Sequence, residues 1–241
     1  MAPTVILLHG FTHTGASWDP VVAALGERYR ALAPDLRGHG RASAQTPVSL
    51  EAVLGDLSAL TSTTFTLAGY SMGGRIALHL ALRAPERIER LVLIGASPGL
   101  ADPAERATRR AADQALADEF ERRQIEVLAE RWAKTPVLAG QPARVRAAVH
   151  ADRLRSTPAG LAAALRHLGT GRLPALWNRL RELTMPVILI VGERDLKFRA
   201  LAGDMVAELP SGQLKIVEGA GHAVHLEAPE TVAALIADTS R

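Results

Sequence analysis

The sequence predicts a single α/β domain in which a mostly parallel sheet is flanked by helices. Short apolar runs of strand length alternate with segments of helical periodicity, as βαβ units require. Glycine-rich turns follow the carboxyl ends of several of these runs. The 241 residues, 48% of them hydrophobic, are enough for one substantial core.

The first strand is expected at residues 4–8, a continuous apolar run typical of a strand covered on both faces. Residues 17–20, Ser-Trp-Asp-Pro, carry polar and proline signals that start a helix. A second strand (29–34) and a second helix (50–60) follow. The glycine-rich residues 35–40 could bind an anion, but a structural turn is favoured.

One strand-to-helix turn carries the most informative motif. A β-branched and apolar run precedes Gly69-Tyr70-Ser71-Met72-Gly73, and residues 76–81 continue as a helix. A Gly-x-Ser-x-Gly sequence in this context presents its serine at the top of a sheet. Glycine is required at both flanks, because a Cβ at Gly69 or Gly73 would collide with the neighbouring backbone. We therefore interpret Ser71 as a nucleophile or base rather than as part of a plain Gly-Ser turn.

A long helical segment interrupts the alternating pattern after a fourth strand at residues 88–94. From about residue 101 to 183 no strand-like run occurs, and proline-broken helical periodicity predicts four or so helices. An insertion at this edge of the sheet would cover Ser71 as a lid. The expected organisation is a core in two parts, 1–97 and 184–241, with a helical lid at 98–183.

The core resumes with two strands that end in chemistry-bearing turns. Residues 186–191 lead into Gly192-Glu193-Arg194-Asp195, and residues 213–217 lead into Glu218-Gly219-Ala220-Gly221-His222. A closing helix is expected after Pro229. The carboxyl ends of parallel strands meet at one edge of a sheet, so these turns can converge on the serine turn.

Ser71, Asp195 and His222 follow the chain order serine, acid, histidine. A serine hydroxyl becomes a base or nucleophile when an imidazole accepts its proton, and a buried carboxylate holds that imidazole in the correct tautomer. Glu193 and His225 are alternatives for the acid and the base. Both rank lower, because Glu193 precedes its turn and His225 lies in the following segment.

The turn after the first strand, residues 9–12, is expected beside the serine. Its backbone N–H at Phe11, together with that of Met72, forms the candidate oxyanion hole. The side chain of His9 is interpreted as a structural histidine bonded to backbone.

Composition excludes several classes of function. With no cysteine, disulfides, thiolate metal sites and a cysteine nucleophile are ruled out. The net charge is +3, and all but three of the cationic side chains are arginine, interleaved with acids. Only 4% of residues are aromatic, so nucleic-acid binding is disfavoured. No leader precedes the first strand and no apolar run approaches about 20 residues, so we expect a cytoplasmic protein without membrane association.

In this order the motifs resemble the α/β-hydrolase family over essentially the whole chain. The resemblance implies the α/β-hydrolase fold with an inserted helical lid. The motifs that carry it are His9-Gly10-Phe11, residues 69–74, residues 192–195 and residues 219–222.

A closer resemblance lies in the helical segment and beyond it. It is to the 2-succinyl-6-hydroxy-2,4-cyclohexadiene-1-carboxylate (SHCHC) synthases of menaquinone biosynthesis. These are lyases that eliminate pyruvate from 2-succinyl-5-enolpyruvyl-6-hydroxy-3-cyclohexene-1-carboxylate, and no cofactor is implied. The motifs are residues 97–100, Arg106-Ala107-x-Arg109, Trp132, Arg153 with residues 160–162, residues 169–171 and residues 195–199.

That substrate is a small tricarboxylate, and the planar fork of arginine suits carboxylates. Arg75, Arg109 and Arg153 match the family's positions for such contacts, although a solvated surface is the alternative for the latter two. Tyr70 and Trp132 are candidates for the apolar part of the pocket, with core packing as the alternative, and Lys197 is a candidate for an added positive charge.

Two other functions stay open. One is a serine hydrolase that cleaves an ester or a C–C bond of a small carboxylate with the same triad. The other is a non-catalytic binding protein, against which the intact triad counts. A monomer or small homo-oligomer is expected.

Overall fold

The computed structural model of the chain describes residues 2–138 and 140–238. Its centre is a parallel sheet, so the predicted fold class is confirmed. The six strands are β1 (Thr4–Leu8), β2 (Arg30–Leu32), β3 (Phe65–Tyr70), β4 (Ile88–Ile94), β5 (Val187–Gly192) and β6 (Gly212–Val217).

The strands lie in the order β2-β1-β3-β4-β5-β6. The central strands β1 and β5 are buried along their whole length, as expected for continuous apolar runs covered on both faces. At the edges, β2 and β6 are partly exposed. The strand predicted at 29–34 is shorter than expected, because only Arg30–Leu32 pairs with β1 before Pro34 and the following turn.

Helices cover both faces of the sheet. Ten α-helices occur in the described part of the chain: α1 (Asp19–Leu25), α2 (Leu50–Ser58), α3 (Met72–Arg83), α4 (Pro103–Phe120), α5 (Ile125–Ala133), α6 (Ala143–Arg153), α7 (Pro158–Leu168), α8 (Leu196–Glu208), α9 (Val224–Glu227) and α10 (Pro229–Ala237).

Alternate residues of each strand feed two different cores. Ile6 and Leu8 of β1 belong to the core beneath α2, α3 and α8, whereas Val5 and Leu7 belong to the core beneath α1 and α10. This alternation follows from the period of two in a strand, and it produces three layers, helix, sheet and helix.

Four α-helices, α4 to α7, lie between β4 and β5, in the region where the sequence predicts four or so. Helices α4, α5 and α7 share a small core of their own, built from six buried residues, whereas Val145 and Val149 of α6 belong to the core beneath α1 and α10. Phe11, from the loop after β1, packs against this cluster. The cluster comprises Ala117, Phe120, Leu128, Leu161, Ala162 and Leu165.

The strand order places a crevice at the carboxyl edge of the sheet. The chain runs from β1 outward to β2, then returns across β1 to β3, so the loops after β1 and β3 part in opposite directions. Ligands of open α/β sheets bind at such a switch point. Here it brings the loop that carries Phe11 next to the turn that carries Ser71.

Candidate active site

The serine turn is backbone-strained and tightly packed. Ser71 has φ 51° and ψ −108°, a conformation that is costly for any residue with a side chain. A Cβ at Gly73 would lie 2.2 Å from the carbonyl oxygen of Leu8, and one at Gly69 would lie 2.5 Å from that of Gly73. The predicted need for glycine at both flanks is confirmed. The Ser71 N–H donates to Ile94 O at 2.9 Å, which ties the turn to β4.

His222 and Asp195 form a buried hydrogen bond. Nδ1 of His222 lies 2.6 Å from Oδ2 of Asp195, and the two residues are 5% and 8% exposed. The other carboxylate oxygen accepts from the Phe198 N–H at the start of α8, which fixes its orientation. Because the carboxylate accepts, Nδ1 of the neutral imidazole carries the proton and Nε2 keeps its lone pair.

The two alternative residues are engaged elsewhere. Oε2 of Glu193 accepts from the Gly219 N–H at 2.9 Å. His225 is fully buried, with its ring 4.3 Å from that of Tyr70 and 4.7 Å from that of Trp18. Burial, with a smaller contribution from His222, lowers the pKa of His225 to about 3. It is a neutral core histidine, which leaves His222 as the imidazole beside the carboxylate.

A cavity of about 680 Å³ opens over this edge of the sheet. One side, here termed the sheet-edge wall, consists of residues at strand ends: Phe11, Ser71, Met72, Asp195 and His222. The opposite side, the helical wall, comes from the segment between β4 and β5: Arg109, Trp132, Leu165, Leu168 and Thr170.

The predicted oxyanion-hole residues, Phe11 and Met72, both line the cavity. Among the described residues, neither backbone N–H donates to a protein acceptor. Both N–H groups therefore remain candidates for the predicted oxyanion hole.

The side chain of His9 links the loop after β1 to the turn at residue 36. The Leu36 N–H donates to Nε2 of His9 at 2.9 Å, so the proton resides on Nδ1, which donates to Gly10 O at 2.9 Å. The interpretation of His9 as a structural histidine is confirmed. Residues 35–40 are likewise a structural turn, since Asp35 accepts from the N–H groups of Gly15 and Arg41.

Arg75 is a buried cation at the junction of the two walls. It is 8% exposed, lines the cavity and donates from Nη1 to Oγ1 of Thr170. Nη2 reaches Leu168 O at 3.5 Å, and Nε has no partner. Burial, followed by repulsion from Arg109, lowers the pKa of Arg75 to about 10. No carboxylate of the described residues lies within ion-pair distance of it.

Three other predicted contacts also line the cavity. Arg109 donates from Nε to Oδ1 of Asp113 at 2.7 Å, one helical turn further along α4. Trp132 packs edge-on against Phe11, with ring centroids 4.9 Å apart. Lys197 lies at the start of α8, next to Asp195.

Tyr70 and Arg153 differ from the expectation of direct pocket contacts, because neither lines the cavity. Tyr70 points into the core beneath the sheet edge, between His222 and His225. Arg153 is only 2% exposed and donates from Nε to Oγ1 of Thr12 at 3.2 Å. Both side chains pass behind the loop after β1, which takes the place nearest the cavity.

The sequence interpretation assigned no role to two residues that organise the helical wall, although one of them, Thr170, lies within the motif at residues 169–171. Thr170 accepts from Arg75, and Asp113 accepts from Arg109. The spacing of four residues between Arg109 and Asp113 is a readable helical pair. The contact of Thr170 had no local signal beyond the glycines on either side of it.

Two classes of feature are absent from the part of the chain that is described. No group of three or more histidine, aspartate or glutamate side chains is arranged to hold a metal ion. No described helix has the length and apolarity needed to cross a membrane.

Comparison with known proteins decides the family. The model of the Alpha/beta hydrolase family matches residues 5–235. The chain belongs to the α/β-hydrolase family. Within it, the chain is 37% identical to the SHCHC synthase of Serratia proteamaculans, over 96% of this chain and 91% of that protein. It is 34% identical to the SHCHC synthase of Salmonella schwarzengrund, over 100% and 94%.

Solved structures of α/β-hydrolases agree with this. MenH from S. aureus superposes with a TM-score of 0.92 at 30% identity, covering 98% of this chain and 92% of that one. A thermophilic esterase from Thermogutta terrifontis, solved with malate bound, superposes with a TM-score of 0.84 at 25% identity, over 98% and 88%. The chain is thus an α/β-hydrolase-superfamily enzyme related to the SHCHC synthases.

Proposed function

We propose that the protein is an SHCHC synthase, a lyase that eliminates pyruvate from 2-succinyl-5-enolpyruvyl-6-hydroxy-3-cyclohexene-1-carboxylate. The observation that carries the proposal is the pair of guanidinium groups, Arg75 and Arg109, on a cavity whose sheet-edge wall holds Ser71 and the hydrogen-bonded pair His222 and Asp195. A neutral substrate would leave the buried cation Arg75 without an ion-paired carboxylate, because the nearby Asp113 is paired with Arg109, whereas a polycarboxylate supplies one.

Ser71, His222 and Asp195 act as a proton relay. Nε2 of His222 accepts the hydroxyl proton of Ser71, and Asp195 stabilises the imidazolium that forms. Ser71 thereby removes the ring proton beside the succinyl ketone. The electron pair shifts onto the ketone oxygen, where the N–H groups of Phe11 and Met72 hold the developing negative charge.

The elimination follows from the enolate. Its electrons return through the ring, form the second double bond of the cyclohexadiene and break the C–O bond to the enolpyruvyl group. The enolpyruvate that leaves takes up a proton and becomes pyruvate. No acyl-enzyme forms. Ser71 keeps the ring proton as its new hydroxyl proton, and the imidazolium of His222 gives its proton to the departing enolpyruvate, so both groups return to their starting state.

The helical wall supplies recognition. Arg75 and Arg109 bind substrate carboxylate groups. Trp132 and Phe11 pack over the substrate ring, and Lys197 adds a positive charge to the same cavity. Arg153 contributes from behind the loop by holding Thr12. In this proposal residues 98–183 are the lid over the cavity. The cytoplasmic location, and the monomeric or small homo-oligomeric state, stay predictions.

Heavy-oxygen water separates this lyase from a hydrolase. An elimination places no solvent oxygen in the cyclic product, whereas hydrolysis places one in a product carboxylate. Label is sought in the carboxylate groups of the cyclic product by fragment mass, because ketone oxygens, in pyruvate and in the succinyl group alike, exchange with water by themselves. We expect no label in those carboxylates, and release of pyruvate in step with the absorbance of the conjugated diene. Label in a carboxylate, or no turnover of the enolpyruvyl substrate, would refute the lyase.

The second candidate is a serine hydrolase of small carboxylate esters. It is favoured by the same serine, histidine and aspartate arrangement and by the similarity to an esterase solved with malate bound. Efficient turnover of simple aryl esters, with an acyl group trapped on Ser71, would support it.

A further inference from the structure

In the described part of the chain, the guanidinium of Arg75 has a buried N–H group without a hydrogen-bond acceptor, and none of its bonded partners is charged. Its partners, Oγ1 of Thr170 and the carbonyl of Leu168, are neutral, and Nε has no acceptor among the described residues. A buried cation without a counter-charge is unfavourable unless an anion completes its environment. Arg75 lines the cavity, so an anion bound there would supply the directly bonded counter-charge that its neutral partners do not.

Arg109 presents a second guanidinium to the same cavity. Its Nε is occupied by Asp113, and of the described residues none accepts from its two terminal nitrogens. Anchoring a guanidinium through Nε leaves the terminal pair as a two-donor fork, which is the geometry that a carboxylate matches. Both guanidinium groups line the same cavity, and the charge of Arg109 adds to the burial that lowers the pKa of Arg75.

Asp113 joins these two cations, although it does not line the cavity. It is 5% exposed on α4, and its Oδ1 accepts from Arg109. Its Oδ2 faces the turn after α7: the Gly171 N–H lies 3.5 Å away, and a Cβ at Gly169 would lie 2.7 Å from this oxygen. Thr170, between those two glycines, is the residue that accepts from Arg75.

We propose that Asp113 is a positioning residue that fixes Arg75 and Arg109 as one receptor for a substrate carboxylate. One oxygen aims the fork of Arg109, and the other seats the turn whose Thr170 holds Arg75. This inference rests on the proposed function in taking a polycarboxylate as the ligand, and it assigns to Asp113 a role that involves no contact with the substrate.

The arrangement also sets the charge of the receptor. Asp113 offsets the repulsion between the two guanidinium groups and leaves a net charge of +1 to meet an incoming carboxylate. Replacement by asparagine raises that net charge and leaves a single, neutral acceptor oxygen, which cannot serve both the Arg109 guanidinium and the Gly171 N–H. The higher net charge of the asparagine variant should strengthen binding of a carboxylate, whereas the poorer orientation of the guanidinium groups should weaken it. If Asp113 is a positioning residue, the loss of orientation must have the larger effect.

The test measures succinate, as a dicarboxylate probe, binding to the full chain by calorimetry. We expect Asp113→Asn to raise the dissociation constant about tenfold, the effect of losing one charge-assisted hydrogen bond. The matched control is Asp118→Asn, on the same helix, whose carboxylate pairs with Arg166 and is 44% exposed. This control should leave the constant unchanged. In turnover of the enolpyruvyl substrate, Asp113→Asn should raise KM about tenfold and leave kcat within about twofold.

A mutant cycle, in which Asp113→Asn is measured with and without two further substitutions, distinguishes positioning from a general destabilisation of the fold. With both Arg109→Ala and Thr170→Val present, Asp113→Asn should have no further effect, because the two groups that it positions are gone. Arg109→Lys tests the same anchor from the other side, keeps the charge and does not depend on the folding of the Asp113 variant. It should weaken succinate binding about as much.

Any of three results would overturn the inference. The first is a succinate dissociation constant that is unchanged in both Asp113→Asn and Arg109→Lys. The second is a tenfold effect of Asp113→Asn that persists when Arg109→Ala and Thr170→Val are present, and the third is no saturable succinate binding by the wild-type protein. Failure of the proposed function has a different signature. A wild-type protein that binds succinate without converting the enolpyruvyl substrate would refute the lyase and leave the role of Asp113 to be decided by the binding results.

Discussion

The two walls of the cavity are held by different kinds of interaction. The sheet-edge wall is fixed by backbone, through the Ser71 N–H bond to β4, the capping of α8 by Asp195 and the close approach of Gly73 to β1. The helical wall is fixed by side chains, through the bond from Arg75 to Thr170 and that from Arg109 to Asp113. Backbone fixation gives the precision that proton transfer needs, whereas side-chain fixation can be altered without rebuilding the sheet.

This difference between the two walls predicts different kinetic effects for substitutions in each. Changes at the sheet-edge wall should lower kcat, and changes at the helical wall should mainly raise KM. Changes in the buried layer behind the walls should alter stability and its pH dependence. The predictions below are ordered by the size of the expected effect.

Ser71→Ala should give the largest loss. Removing the group that takes the substrate proton should lower kcat by roughly three to six orders of magnitude, while an alanine at this turn leaves the core intact. Steady-state kinetics with the enolpyruvyl substrate measure the loss, and circular dichroism checks the fold. Near-normal turnover would mean that Ser71 is not the base and that the division between the walls is misplaced.

Asp195→Asn should come next. The bond to Nδ1 of His222 fixes the tautomer, so an asparagine should lower kcat by roughly 10⁴-fold with little change in KM. Glu193→Gln is the matched control, since it lies two residues away and contacts Gly219 instead. It should change kcat by less than about threefold. A reversed pattern would transfer the role of acid to Glu193.

Arg75→Ala should act chiefly through binding. Loss of a buried partner for a desolvated carboxylate costs about 2–5 kcal/mol, so kcat/KM should fall roughly 30-fold to several thousand-fold, with most of the change in KM. Arg131→Ala is the control on the helical segment, because Arg131 is 53% exposed and pairs with Glu119 at the surface. It should have a small effect. Equal, small losses at both positions would favour a hydrolase of neutral esters.

The same contrast explains what could be predicted from sequence. Ser71, Asp195 and His222 were identifiable because each follows a strand end, and parallel topology alone brings such ends together. Glycine at 69 and 73 was predictable for the same reason, because its role depends on neighbouring backbone.

The helical wall was less predictable, because its contacts depend on how helices pack. Arg109 and Arg153 look equivalent in sequence, yet Arg109 lines the cavity and Arg153 is buried behind Thr12. The turn that brings Thr170 to Arg75 is positioned by α4, far away in sequence, so no local pattern encodes that contact. Side-chain direction across a tertiary interface decides such cases.

Lowering the pH should destabilise the protein through its buried histidines, the smallest of the effects considered. Burial lowers the pKa of His39 and His225 to about 3, against about 6.5 in the unfolded chain. Below pH 6.5 the unfolded state therefore binds protons that the native state excludes, so the unfolding free energy falls as the pH drops towards the folded pKa. Each such histidine contributes a slope of at most about 1.4 kcal/mol per pH unit.

His225→Phe isolates one contribution, because the apolar ring can occupy the site between Tyr70 and Trp18 without binding a proton. Urea unfolding at pH 7, 6 and 5 should show a shallower fall in unfolding free energy in this variant, by up to about 1.4 kcal/mol per pH unit. His167→Gln, at an exposed position of α7, controls for the loss of a histidine outside the core. Identical slopes in His225→Phe and the wild-type protein would show that His225 takes up its proton in the native state, and that the layer behind the sheet-edge wall is more open to water than its packing implies.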